Sequence, residues 1–266
     1  MSKTSKAFEN GKAFIPFVTA GDPDLETTRR LIIAMAESGA DLIEIGIPFS
    51  DPIAEGLDIQ QADERALAAG TTTDKIFDMV AQVRETLPEL PLAFMTYINP
   101  IYVYGCEKFL TKCEQLKIDA IIVPDIPYEE KNELLPYCQK HGVDLISLMV
   151  PSSDNRIKMI AAESQGFIYC VLSNSTDNEF ATDTSELIKS VREVSQTPVA
   201  ISLAVSTPEQ AKAMAQYADG VIVSNAVVKL CKQYGNDCVE PVKEYVKSMK
   251  QALLSSQKQR TNRNDK

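Results

Sequence analysis

Glu44 is the one charged residue in the run Leu42-Ile43-Glu44-Ile45-Gly46-Ile47. A carboxylate amid apolar neighbours is expensive to bury unless it is paired or keeps its proton. A carboxyl with a raised pKa is what general acid–base chemistry uses near neutral pH. The competing reading is a glutamate held in a structural hydrogen bond. Glu55 follows in Pro48-Phe49-Ser50-Asp51-Pro52-Ile53-Ala54-Glu55-Gly56-Leu57-Asp58, a connection rich in acids and turn formers. It is either a second working carboxylate or a solvated loop charge. Asp125, between Pro124 and Pro127, reads equally as a turn former or a site residue. The single histidine, His141, argues against histidine-clustered metal sites and a Ser-His-Asp triad. It precedes Gly142 at an expected helix C-terminus, where a cation suits the dipole. None of the six cysteines forms a C-x-x-C pair, so free thiols in a reducing compartment are expected.

Eight short apolar runs must position these groups: Phe14–Thr19, Leu42–Ile47, Leu92–Tyr97, Ala120–Val123, Leu145–Val150, Phe167–Val171, Val199–Leu203 and Val221–Val223. They are near-continuous rather than alternating, as in parallel strands covered on both faces. Amphipathic stretches separate them. Asp22-Pro23 reads as a cap with proline at the first helical position, and Thr207-Pro208-Glu209-Gln210 as a capping box. ADLIEIGIPFSDP, IDAIIVPDIPYEE and VDLISLMVPSSD repeat one pattern of aspartate, apolar strand, proline and polar loop, with QYADGVIVSNA a weaker copy. A repeated βα unit with eight strands predicts an α/β fold, a single (β/α)8 TIM barrel with an extra N-terminal helix near residues 2–10. A doubly wound open sheet is the runner-up, disfavoured because no G-x-G-x-x-G follows a strand. Residues 1–254 are expected to form one barrel domain, and 255–266 a disordered polar tail.

In such a barrel the site lies at the C-terminal strand ends. A phosphate, if one is bound, is expected after the seventh and eighth runs, on a helix N-terminus. Those loops read Ser202-Leu203-Ala204-Val205-Ser206 and Ser224-Asn225-Ala226, with hydroxyls and N–H groups but no glycine. The 266 residues carry 27 Lys+Arg against 37 Asp+Glu, a net charge of −10 that argues against nucleic acid or an anionic membrane as main partner. No apolar run has the length of a membrane span, and MSKTSKAFENGK has no apolar signal core, so a cytoplasmic location is expected.

AFIPFVTAGDPDLE, ADLIEIGIPFSDP, DERALAAGTT, MTYINPI, VPDIPYEE, GFIYC and STPEQA stand in this order over roughly residues 13–254. Together they resemble the α subunit of tryptophan synthase. The resemblance implies a lyase of amino-acid biosynthesis that cleaves indole-3-glycerol phosphate to indole and glyceraldehyde 3-phosphate. It implies no cofactor in this chain. It also implies an α2β2 heterotetramer with a β subunit that carries pyridoxal phosphate. It makes Glu44 the proton carrier and puts Glu55 where the family has an aspartate that hydrogen-bonds the indole N–H. Phe17, Met95, Tyr97 and Tyr169 become the indole pocket; Asn178, Ser202, Ala204, Ser224 and Asn225 become the phosphate end.

Four places depart from the family pattern. Glu55-Gly56-Leu57 replaces Asp-Gly-Pro, and Ser175-Thr176-Asp177-Asn178 replaces Gly-Val-Thr-Gly. Ser202-Leu203-Ala204 replaces Gly-Phe-Gly, and Ser224-Asn225 replaces Gly-Ser. Asp177 and Glu179 add negative charge near a dianion. The main reading is a working lyase. The alternatives are a catalytically impaired α-like subunit acting as allosteric partner of a β subunit, and a barrel enzyme with another substrate.

Overall fold

The computed structural model describes residues 4–172, 177–202 and 206–264, with side chains described outside 177–183 and 256–264. The strands are β1 (Ala13–Thr19), β2 (Ile43–Gly46), β3 (Leu92–Met95), β4 (Ala120–Ile122), β5 (Asp144–Leu145), β6 (Ser147–Met149), β7 (Ile168–Val171), β8 (Val199–Ser202) and β9 (Gly220–Val223). All pair in parallel, in the order β5-β4-β3-β2-β1-β9-β8-β7-β6. The two ends of that order, β5 and β6, are one strand interrupted at Ile146. Its first half pairs with β4, its second half with β7. The sheet therefore closes through its fifth strand, and β1 lies beside β9. This is the expected (β/α)8 barrel rather than an open doubly wound sheet. The fifth run is not continuous as the sequence suggested, because its residues exchange one neighbour for the other.

The helices are α1 (Leu25–Glu37), α2 (Leu57–Ala68), α3 (Thr73–Thr86), α4 (Ile98–Tyr104), α5 (Cys106–Gln115), α6 (Leu135–His141), α7 (Asp154–Glu163), α8 (Asp177–Val194), α9 (Pro208–Met214), α10 (Asn225–Tyr234) and α11 (Val239–Asn264). The extra N-terminal element is a short 3-10 turn, Thr4–Phe8. It packs Phe8 against Phe167, with ring centroids 5.6 Å apart. The α11 backbone continues helically to Asn264 where composition suggested a disordered tail, and the last buried side chain among those described is Leu253. Residues 255–264 are rich in Lys, Arg, Gln and Ser, none of which breaks a helix. Among the described residues no helix is long and apolar enough to cross a membrane.

Strand alternation sorts the core into two layers. Ile15, Leu42, Ala93, Ile146, Phe167 and Ile222 face inward and fill the barrel floor. Phe14, Ile43, Ile45, Phe94, Ile121 and Val221 face outward under the helices. The aspartates of the repeated stretches lie at the opposite end from the βα loops. Asp41 accepts from Phe14 N–H at 2.7 Å, Asp119 from Leu92 N–H at 3.0 Å and Asp219 from Val199 N–H at 2.9 Å. Each also meets a cation: Lys250, Arg84 and Arg192. In these three copies the aspartate thus staples neighbouring strands at the barrel floor, while Asp144 of the remaining copy accepts from the Thr4 hydroxyl.

Two helix starts separate local from distant signals. Thr207 caps α9 with Gln210 in a reciprocal capping box and Pro208 at the first position, as read from sequence. The cap of α1 is Asp24, which accepts from Thr27 N–H, and not Asp22. Asp22 is 2 % exposed and takes both arms of Arg65 from α2, at 2.8 and 2.7 Å. His141 ends α6 before left-handed Gly142 and contacts Glu114 and Glu107, an ordinary helix-end arrangement.

Candidate active site

Glu44 points inward from β2, in register with Phe17 on β1 and Ala93 on β3. It is 0 % exposed, and neither carboxylate oxygen has a hydrogen-bond partner. Burial, and then the charge of Glu55, raises its pKa to about 8. A buried carboxyl without partners is stable only in its neutral form, so at neutral pH Glu44 carries a proton.

Glu55 approaches from the β2–α2 loop, half-buried. Burial pushes it up to about 7, the N–H groups of Ala54 and Glu55 oppose this, and Asp125 adds to it. The Tyr97 hydroxyl donates to Glu55 and accepts from Ala54 N–H at 2.8 Å. The Tyr97 ring also packs on Phe49, 5.3 Å between centroids. Asp125 accepts from Ile98 N–H at 2.9 Å, so it caps α4 as well as facing Glu55.

The apolar wall forms where Phe17 packs with Met95, Ile59 and Val228. Phe17 needs the glycine at position 46: a Cβ there would lie 2.5 Å from the ring. Tyr169 rises from β7 and is 4 % exposed. Burial, then the charge of Glu44, holds its phenol well above the ordinary range, while hydrogen bonds from Ser202 and Ser224 act the other way. The two serines expected to meet a phosphate thus lie close to the Tyr169 hydroxyl. Asn225 opens α10, whose N-terminus has no side-chain cap, and its buried Oδ1 has no partner. Asn178 lies on α8 with its side chain outside the described residues, as do the side chains of Asp177 and Glu179. Ala204, Leu203, Ser175 and Thr176 lie outside the described residues altogether.

The mouth therefore brings together Glu44, Glu55, Phe17, Met95, Tyr97, Tyr169, Ser202 and Ser224. A neutral buried acid close to a partly ionised one, among apolar side chains, can give a proton at one atom and hold a cation at another.

A profile described as tryptophan synthase alpha chain matches residues 3–254. The chain belongs to the tryptophan synthase alpha chain family. Curated tryptophan synthase alpha chains from Lacticaseibacillus casei and Lactiplantibacillus plantarum are 40% and 42% identical to it. Each match covers 95% of this chain, and 96% and 97% of theirs. The solved tryptophan synthase subunit alpha of Legionella pneumophila superposes with a TM-score of 0.88 at 34% identity, covering 96% of this chain and 99% of that one. A chain solved in the tryptophan synthase a2b2 complex of Pyrococcus furiosus gives a TM-score of 0.81 at 32% identity, covering 90% and 97%. Within this tryptophan synthase alpha chain fold, sequence reasoning missed Asp63, Phe49 and the Asp22–Arg65 pair. Asp63 had a readable signal: an acid among the apolar positions Ile59, Ala62 and Ala66 of α2.

Proposed function

We propose that this chain cleaves indole-3-glycerol phosphate to indole and glyceraldehyde 3-phosphate, with Glu44 as the proton carrier. The observation that carries the assignment is the fully buried Glu44 carboxyl with both oxygens unpartnered at the barrel mouth. The protonated carboxyl gives its proton to indole C3, placing positive charge on the ring. The bond from C3 to the side chain then breaks and its electrons restore the aromatic ring. The adjacent side-chain hydroxyl becomes the aldehyde carbonyl, and its proton goes to the Glu44 carboxylate. Glu44 ends the cycle as it began.

Glu55 lies where it can accept the indole N–H as that nitrogen becomes cationic. Phe17, Met95, Tyr97 and Tyr169 surround the ring, an apolar cavity with few polar groups. The phosphate sits toward the uncapped N-terminus of α10, near Ser202, Ser224 and Asn225, with Asn178 and Ala204 on the adjoining loops. Indole leaves to a β subunit in an α2β2 assembly, where pyridoxal phosphate supplies the chemistry that joins it to serine. The location is cytoplasmic. No observation favours a non-catalytic subunit over a lyase.

The test is steady-state release of indole from indole-3-glycerol phosphate by the purified chain, alone and with a β subunit. No release in either condition overturns the reading. Glu55→Asp is expected to keep the fold and raise kcat/KM by about threefold. The shorter carboxylate gives up the Tyr97 hydroxyl and is left free for the substrate, and reach of this kind governs rate. A fall in kcat/KM would show that the site is built around the longer side chain.

A further inference from the structure

The ladder between β3 and β4 runs out at Thr96, whose N–H meets Ile122 C=O at 3.1 Å. The chain then turns into α4, with Tyr97 as its N-cap residue. That position ordinarily carries Ser, Thr, Asp or Asn, whose side chain takes an N–H of the first turn. Tyr97 makes no such bond. Its side chain leaves for the site, where the hydroxyl bonds Glu55 and Ala54 N–H and the ring packs on Phe49. The cap comes from the loop after β4 instead. Asp125 Oδ1 accepts from Ile98 N–H, the first of α4, at 2.9 Å and from 27 residues away in the chain. A carboxylate there also suits the positive end of the helix. Asp125 is itself fixed. It lies between Pro124 and Pro127, in a turn closed by Ile126 N–H on Val123 C=O at 3.3 Å. The loop that Tyr97 reaches has one further hold, from α2: Gln60 Nε2 donates to Glu55 C=O at 2.8 Å.

We propose that Asp125 is a positioning residue: by holding the first N–H of α4 it fixes Tyr97, whose hydroxyl oxygen holds Ala54 N–H and so aims position 55 at the ring nitrogen of the substrate. This rests on the assignment of Glu55 to the indole N–H. Ala54 immediately precedes Glu55, so the anchored main chain sets the direction in which the next side chain leaves the loop, for a glutamate or an aspartate alike. Reach is the operative property of Asp125, and charge is secondary. Its carboxylate spans a fixed gap between the proline-flanked turn and Ile98. One methylene more, or a shorter side chain, moves the start of α4 and takes the Tyr97 hydroxyl off Ala54 N–H. A misplacement of about 1 Å at a reacting group can cost about 10²-fold in rate.

The experiment measures kcat and KM for indole-3-glycerol phosphate in the full-length wild type, Asp125→Asn, Asp125→Glu, Asp125→Ser and Glu55→Ala, and repeats the Asp125 variants together with Tyr97→Phe. Asp125→Asn keeps an acceptor oxygen at the same reach and is expected within about threefold of wild type. Asp125→Glu keeps the charge and changes the reach. It should lose about tenfold, mainly in kcat, because the bond to the ring nitrogen strengthens as that nitrogen becomes cationic. Asp125→Ser falls short of Ile98 and carries the same expectation where Asp125→Glu fails to fold. Tyr97→Phe has no hydroxyl to place, so in that background either change should cost less than about twofold. An equal loss in both backgrounds is what a purely structural cap gives, and it overturns the proposal. So does wild-type kcat in Asp125→Glu or Asp125→Ser, or a larger loss in Asp125→Asn than in Asp125→Glu. If Glu55→Ala costs activity while Asp125→Glu and Asp125→Ser follow wild type, the role of Asp125 fails and that of Glu55 stands. If Glu55→Ala costs nothing, both fail.

Discussion

Glu44→Gln is expected to leave a protein that is nearly inactive and more stable. The amide keeps the shape and polarity of the protonated carboxyl but carries no exchangeable acid, and loss of a positioned acid–base group typically costs about 10²–10⁴-fold. The stability gain follows from the raised pKa. Burial holds the Glu44 carboxyl at about 8 in the folded protein, against an ordinary value of 4.5. The folded state thus holds a proton that the unfolded chain releases. The stability linked to this proton is fully present below about pH 4.5 and is lost as pH rises toward 8. At pH 7 the loss is at most about 3 kcal/mol, from 2.5 units at 1.36 kcal/mol each. The glutamine has no such slope. Urea unfolding at pH 5 and pH 8 should show the variant gaining on wild type as pH rises. Wild-type cleavage by Glu44→Gln would remove Glu44 from the mechanism, and parallel stability curves would remove the buried proton.

Arg65→Met is expected to destabilise the fold by about 3 kcal/mol, because it leaves a buried carboxylate without its cation. Asp22 is 2 % exposed and receives two charge-assisted hydrogen bonds from Arg65. Arg65 is a third exposed, so the loss lies mainly in stranding Asp22 rather than in the attraction of the pair. Asp22→Asn with Arg65→Met should therefore recover much of the lost stability, a coupling that a double-mutant cycle measures directly. The pair also ties the β1–α1 turn to α2, the helix beneath the Glu55 loop. Activity should fall with stability in the single variant and return in the double. Additive effects in the cycle would show that the two side chains act independently.

Much of the architecture was legible in the chain. The eight apolar runs become the barrel strands because parallel strands covered on both faces need near-continuous apolar sequence, a local property. The strand period places Glu44 inward once Ile43 and Ile45 face the helices. Its burial, its missing partners and its raised pKa all follow from that one position. The Thr207 capping box was legible for the same reason, since every atom it uses lies within four residues.

Tertiary structure decided who meets whom. Asp22 looks like a cap beside Pro23, yet its carboxylate goes to Arg65, 43 residues away, while Asp24 takes the cap. Tyr97 reads as an apolar wall, but barrel closure sets its hydroxyl against Glu55. Ser202 and Ser224, far apart in the chain, are brought together beside Tyr169. Local sequence governs backbone angles and the burial of each face; the partner of a buried polar atom depends on which distant segment the closed barrel brings within hydrogen-bond reach.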